Sequence, residues 1–369
     1  MKRILYAFLL LSITHTGSKL SAQPDTILLF HPTAGNIETF SLIFNEVVED
    51  VSDSEFHFLG VYHEHENYDY NKSLMLIDSM NAGKFNFSLY CVKGLPESEQ
   101  IYTENVFYEQ FEKLFRISIG SIFTGGPDLP PGLYDEEMHL LTDVTDPWRH
   151  YMEISALSCF LGSSLNPHSE ALMEQDPDYL ILGICLGMQS MNVATGGSMV
   201  QDIPTELYHL YTREDILRSK IVKHRNYTFD DPSDGLNLTS YHFHPIDIDP
   251  ESRFSELFQP GAVPYPYVLS SHHQALESLG KDLKVAARSP DQRIIEAVEH
   301  EKYPAVFGVQ FHPEKTGLFN SQEIYYVSPE NPVQFQSYAQ SKQSDSFHYH
   351  FWNVIHKLLQ ENHREMTME

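Results

Sequence analysis

The feature that most constrains this chain is the heptapeptide Gly183-Ile184-Cys185-Leu186-Gly187-Met188-Gln189, which joins two segments of different period. Tyr179 to Ile184 is an apolar run of strand length. The residues after Cys185 continue helically to Thr195, where Gly196-Gly197 ends them. A strand that passes into a helix at one residue needs a tight turn with small neighbours. Such a turn strains the backbone of that residue and projects its side chain above the sheet edge. The positive end of the following helix favours thiolate over thiol at Cys185. Backbone N–H groups just after such a residue point to where an oxyanion would form, and Leu186 N–H is the first candidate donor.

The rest of the chain supplies the layers that this turn requires. Thr26 to Phe30, Phe56 to Val61, Asn86 to Val92 and Ile117 to Phe123 are apolar runs bounded by polar or turn-forming residues. The fourth stops at Thr124-Gly125-Gly126-Pro127, where Gly125 and Gly126 are the natural source of a second oxyanion donor, assigned to Gly126. Val268 to Ser271, Leu283 to Ala287, Arg293 to Val298 and Ala305 to Phe311 read as late strands. Helical stretches interleave with these runs. Met152, Ala156, Cys159 and Phe160 share a face, which assigns Cys159 to the core, and burial is also the expectation for Cys91 in its strand. The pattern predicts an α/β fold with a mostly parallel sheet flanked by helices on both faces. Residues 320–346 read as polar and irregular, and a final amphipathic helix places Phe351, Val354, Ile355, Leu358 and Leu359 on one stripe.

A thiolate nucleophile needs a base. Gly308-Val309-Gln310-Phe311-His312-Pro313-Glu314 lies at the end of another predicted strand, 127 residues after Cys185. His312 can pair with Cys185, and Glu314 can hold the imidazole in the correct tautomer. Strand ends on one edge of a parallel sheet converge in space, so the distance in sequence is no obstacle.

Together the two motifs resemble the class I glutamine amidotransferase superfamily, in which Gly-x-Cys-x-Gly-x-Gln pairs with a later His-x-Glu. Within it the chain is most similar to the γ-glutamyl-γ-aminobutyrate hydrolase branch. Further similar blocks are Thr124-Gly125-Gly126-Pro127-Asp128, Asp146-Pro147-Trp148-Arg149, Asn192 to Ser198 with Gln201-Asp202-Ile203-Pro204, and Ser270-Ser271-His272-His273-Gln274. Two positions depart from that branch: His150 stands where it usually has Asp, and Leu186 where it commonly has Arg. These departures bear on substrate more than on chemistry. The resemblance covers roughly residues 115–315 in scattered blocks, and the first hundred residues match poorly. It implies a flavodoxin-like architecture, with Cys185, His312 and Glu314 as the triad and Gly126 and Leu186 at the oxyanion. It also implies that Gln189, Ser270, His272 and His273 bind a small γ-glutamyl substrate.

The expected organisation is a signal peptide over residues 1–22, then one catalytic domain over 23–369, with an insertion near 205–240 and a C-terminal extension over 316–369. Lys2 and Arg3 precede an apolar run from Ile4 to Ile13, and Leu20-Ser21-Ala22 offers the cleavage site, so the chain is expected to be exported. No other segment approaches ~18 continuous apolar residues, so no transmembrane segment is expected. Three cysteines, Cys91, Cys159 and Cys185, are too few for a disulfide scaffold. The formal charge of −27 repels phosphate backbones and argues against nucleic-acid partners. No cofactor and no metal is expected. His63-Glu64-His65-Glu66 could place two imidazoles on one strand face, but solvated polar loops of this composition are more common than metal sites.

The predicted reaction is thioester-mediated hydrolysis of a γ-glutamyl amide. Two rivals are a ligand-binding protein on an inactive amidotransferase fold and the glutaminase component of a synthase. Predicted export and the lack of a Gly-rich phosphate loop argue against the second. Nothing in the sequence fixes the oligomeric state.

Overall fold

The computed structural model describes residues 25–49, 56–80, 86–228, 238–259, 263–328 and 330–366; the predicted signal peptide and part of the 205–240 insertion lie outside the described residues. The first half alternates strand and helix: β1 (Asp25–Phe30), α1 (Ala34–Leu42), β2 (Phe56–His63), α2 (Asn71–Met80), β3 (Asn86–Val92), α3 (Tyr108–Arg116), β4 (Gly120–Phe123), α4 (Pro147–Leu161), β5 (Leu180–Ile184) and α5 (Leu186–Ala194). The second half holds short β6 (Met199–Val200), α6 (Arg213–Arg218), β7 (His242–Pro245), β8 (Asp247–Ile248), α7 (Arg253–Phe258), β9 (Tyr267–Ser270) and β10 (Ala275–Leu276). It continues with β11 (Leu283–Arg288), β12 (Ile295–His300), β13 (Val306–Val309), β14 (Tyr325–Ser328), β15 (Asn331–Val333), α8 (Phe335–Ser341) and α9 (Asp345–Met366).

Nine strands form the central sheet in the order β3-β2-β1-β4-β5-β13-β12-β11-β8. The six from β3 to β13 are parallel, and β12, β11 and β8 extend the β13 edge antiparallel. The apolar runs are continuous because both faces are covered. In β1 the two-residue period sends Leu28 and Phe30 to one face, where they join residues of α3, α4 and α5, including Phe111, Met152 and Met188. Ile27 and Leu29 face the opposite layer with Phe40 of α1, Phe254 of α7 and Phe351 of α9. Cys91 and Cys159 are half-buried rather than fully enclosed, and Cys159 packs against the first of these clusters.

Residues 320–346 are more ordered than their polarity predicts. The β14–β15 hairpin and α8 gather around a small core of Phe243, Leu269, Leu318, Phe335 and Ala339, with Tyr325 stacked on Phe335 at 3.9 Å. Aromatic rings spaced without a regular period supply that core. The last helix also belongs to the main body. Trp352 is fully buried, with ring centroids 5.8 Å from Phe40, 6.5 Å from Phe44 and 5.4 Å from Phe351. Its Nε1–H donates to the Pro313 carbonyl at 2.9 Å, which ties α9 to the loop carrying His312 and Glu314. No helix among the described residues is long and apolar enough to cross a membrane.

Replacing Trp352 tests this tie. Trp352→Ala should cost about 3–5 kcal/mol as a large core truncation. Trp352→Phe, which keeps a ring but leaves the buried Pro313 carbonyl without its donor, should cost about 1–3 kcal/mol in urea unfolding. Equal stability of Trp352→Phe and wild type would show that the hydrogen bond contributes nothing.

Candidate active site

Cys185 sits where β5 ends and α5 begins, with φ 53° and ψ −104°. A non-glycine residue held at positive φ is strained, and here the surrounding packing enforces it. A Cβ on Gly187 would lie 2.2 Å from the Phe123 carbonyl oxygen, and one on Gly183 would lie 2.7 Å from the Gly187 backbone. The two glycines of the motif therefore let α5 press onto the ends of β4 and β5. Cys185 N–H donates to the Val309 carbonyl at 2.7 Å, which carries the β5–β13 ladder one residue past the strand.

That ladder brings the second motif alongside. β13 ends at Val309, opposite Ile184, and His312 and Glu314 follow it on the same sheet edge. His312 Nδ1 and Glu314 Oε1 are 2.8 Å apart, and Cys185, His312 and Glu314 are all buried. Burial alone would lower the His312 pKa. The Glu314 carboxylate, with Tyr241 and a hydrogen-bonding contact to Cys185, overcomes this and holds the imidazole well above its ordinary value. Burial likewise pushes Glu314 up, but the His312 imidazole and the Lys315 ammonium bring it below the usual range. Tyr241 stands edge-on to His312 at 5.3 Å, and the Lys315 ammonium lies 4.9 Å from the Tyr241 ring centre. Tyr241 also lines a cavity of about 310 Å³ with Lys223, Arg225, Tyr227, Phe335 and Tyr338.

The third strand end belongs to β4, which neighbours β5 and delivers Gly125 and Gly126. A Cβ on Gly125 would lie 2.8 Å from His312 Cε1, and one on Gly126 would lie 2.7 Å from Leu186 Cδ2. Gly126 and Leu186 are thus brought together beside Cys185. Leu186 is the first residue of α5, and first-turn N–H groups have no partner within their helix. Arg149, which follows Trp148 at the start of α4, fixes the Gly125–Gly126 loop. Its guanidinium donates to the Thr124 carbonyl at 2.9 Å, the Gly125 carbonyl at 3.1 Å and Glu153 at 2.7 Å. Burial pushes the Glu153 carboxyl up to about 7 against the pull of Arg149.

The residues expected to bind substrate divide into separate networks. Gln189 is buried and donates to Gln310 Oε1 at 3.3 Å, while Gln310 Nε2 reaches Cys185 Sγ at 3.6 Å. Gln310 lies inside the second motif, so its position there is the signal that could have marked it. The Ser270 hydroxyl is 2.8 Å from His244 Nε2, and His272 Nδ1 is 2.8 Å from the Gln274 carbonyl. His273 is clamped between Asp202 and Asp128, each 3.0 Å from one ring nitrogen. Ser270 and both nitrogens of His273 are therefore engaged within the protein rather than turned to Cys185. Burial opposes charge on His273, but hydrogen bonds to Asp128 and Asp202 raise its pKa to about 9. His63 does not lie in a solvated loop: it is buried, Nε2 is 2.8 Å from the Gly94 carbonyl, and its ring stacks on Trp148 at 5.4 Å. Glu66 is occupied by His31 and Tyr70.

A mostly parallel sheet, a cysteine on a strand-to-helix turn and a His–Glu pair on the next strand define the class I glutamine amidotransferase fold and its hydrolase relatives. Within that superfamily the chain belongs to the peptidase C26 family, whose profile matches residues 108–314. It is 31% identical over 223 residues to protein NtpR of Enterococcus hirae, covering 60% of this chain and 74% of that one. It is 31% identical over 196 residues to the glutamine amidotransferase-like protein YvdE of Lactococcus lactis, covering 53% and 65% of the two chains. It is also 30% identical over 143 residues to the γ-glutamyl-γ-aminobutyrate hydrolase PuuD of Escherichia coli, covering 39% and 47%.

Two buried charge networks give separable predictions. Arg149→Met leaves Glu153 as a buried, uncompensated carboxyl and should cost about 3–5 kcal/mol in chemical denaturation. Arg149→Met with Glu153→Leu should recover most of that loss, and a double variant as unstable as the single would refute the pairing. The raised pKa of His273 stabilises the fold fully below about 6.5, the unfolded value. This contribution is lost as pH rises through about 9. Unfolding measured from pH 6 to 9.5 should therefore show a decline in wild type that His273→Gln lacks; parallel profiles would contradict it.

Proposed function

We propose that this protein is an exported cysteine hydrolase that cleaves the γ-glutamyl amide bond of a small peptide or amine. The observation that carries the reading is Cys185 on its strained turn, in hydrogen-bonding contact with a His312 imidazole that Glu314 holds at 2.8 Å. Membership of the peptidase C26 family and similarity to PuuD support hydrolysis of this class. The signal-peptide pattern in residues 1–22 supports export.

In this reading His312 takes the thiol proton, and the Cys185 sulfur attacks the γ-carbonyl carbon. The tetrahedral oxyanion is met by the N–H groups of Gly126 and Leu186. The C–N bond breaks as His312 returns the proton to the leaving amine, and a thioester remains. Water then attacks the thioester with His312 as base, the C–S bond breaks, and glutamate departs as Cys185 regains a proton. Glu314 keeps the imidazole in one tautomer throughout. Gln189 lies close enough to Cys185, through Gln310, to serve at the glutamyl group. The cavity beside Tyr241 suits the leaving group: its aromatic rings accept an apolar side chain, and Lys223 and Arg225 favour an amine that carries a carboxylate.

The test is glutamate release from γ-glutamyl-p-nitroanilide and from a panel of γ-glutamyl amino acids and amines. Release should fall by at least about 10³-fold in Cys185→Ala, with γ-glutamyl amino acids preferred over γ-glutamyl amines lacking a carboxylate. No release from any substrate, with Cys185 unreactive to iodoacetamide, would favour a binding protein on this fold. Mass determination of the protein recovered from its host should give an N-terminus at Gln23, and an intact Met1 would refute export by this signal.

A further inference from the structure

Away from the nucleophile, four titratable side chains meet in the interior. His224 lies on the segment after α6, His244 on β7, His272 just after β9 and Glu296 on β12. All four are buried, and one donor atom from each lies within 4.8 Å of the other three. A ring nitrogen of His224 is 3.0 Å from Glu296 Oε1, His244 Nε2 is 3.9 Å from the same oxygen, and the His224 ring lies 4.6 Å from His244 and 4.9 Å from His272.

The hydrogen-bond accounting is unusual. His272 Nδ1 faces the Gln274 carbonyl at 2.8 Å and His244 Nδ1 faces the Pro245 carbonyl at 3.1 Å, so both carry their proton there if neutral. Their Nε2 lone pairs then face inward. His272 Nε2, both His224 nitrogens and both Glu296 oxygens are buried without a hydrogen-bond partner. The cluster thus sets three imidazoles around one carboxyl and leaves five of their polar atoms without a hydrogen-bond partner. Native interiors rarely leave so many polar atoms unmatched in one place. A cation at the centre would engage one nitrogen of each imidazole and one Glu296 oxygen.

We propose that His224, His244, His272 and Glu296 form a structural site for a divalent transition ion, with zinc the best fit to three imidazole nitrogens and one carboxylate oxygen. The expectation of no metal drawn from the sequence is revised accordingly. The four ligands come from segments far apart in the chain, so no spacing motif announces them. Tetrahedral coordination at bonds near 2.0 Å draws donor atoms that now lie within 4.8 Å of one another to about 3.3 Å apart. The Gln274 and Pro245 carbonyls act as the outer partners that orient metal-bound histidines. The Ser270 hydroxyl, now 2.8 Å from His244 Nε2, turns away to free that nitrogen. With four protein ligands the site is closed, so its work is cross-linking. It ties the segment around His224 and the turn after β9 to β12, whose Glu296 carbonyl accepts from Gln310 N–H at 2.8 Å.

Metal analysis of the purified protein, chelator-stripped and reconstituted with zinc, tests the site without reference to activity. One zinc per chain should bind, raise the thermal midpoint and compete with cobalt. Bound cobalt should show the intense visible bands of tetrahedral coordination without a thiolate charge-transfer band. His224→Gln and Glu296→Gln, confirmed folded by circular dichroism, should weaken zinc binding by at least about 100-fold. Absence of zinc uptake, of a thermal shift and of a cobalt spectrum in wild type would overturn the proposal, whatever the variants do. So would a thiolate band, which would place the ion on Cys185, or unchanged affinity in a folded His224→Gln variant.

Discussion

The conformation of one residue organises this structure. Cys185 can hold φ 53° only because β4, β5 and β13 are in register beneath it and α5 is pressed against their ends. The hydrogen bond from Cys185 N–H to Val309 spaces Cys185 from the strand that leads to His312, and the missing side chain at Gly187 spaces it from β4. Three neighbouring strands thus each deliver one element to a common edge: a glycine pair, the thiol and the His–Glu pair. Ligands of open α/β sheets gather at carboxyl strand ends for the same geometric reason.

Around that edge the protein buries charge at Arg149 and His273, and each of these two is matched locally. Arg149 is held by Glu153 and two carbonyls, so its guanidinium serves as a bolt for the glycine loop rather than as a ligand for substrate. His273 is a cation between two carboxylates, and through Asp202 it joins the capping of the turn at Ile203–Leu207. These networks fix loops that hydrophobic contacts alone would leave adjustable.

The parts legible in the sequence were those governed by local rules. Buried parallel strands are apolar along their whole length, so β1 to β5 could be read directly, and Gly-Ile-Cys-Leu-Gly marked the turn because few backbones tolerate its geometry. His312-Pro313-Glu314 could be placed because its strand had to lie on the same edge. Roles that arise only from tertiary contact were not legible. Arg149 acts through carbonyls of a loop two dozen residues earlier, and Tyr241 meets His312 across the fold. The hairpin and helix within 320–346 pack through scattered aromatic rings, which leave no helical or strand period to detect. Ser270 and His273 were read as substrate ligands from their motif, yet their hydrogen bonds point into the protein.

The hydrogen bond between Trp352 and Pro313 also imposes an order on how the site matures. Cys185, His312 and Glu314 have all been synthesised while α9 is still inside the ribosome, and the platform under the His312–Glu314 loop is then missing. The Phe40 and Phe44 faces that receive Trp352 wait, unfilled, from the second tenth of the chain to the last. Translation therefore separates the appearance of Cys185 from the completion of its surroundings by more than 160 residues. A nascent chain carries Cys185 long before it carries the packed surroundings of that residue, and α9 acts as the latch that closes the interval.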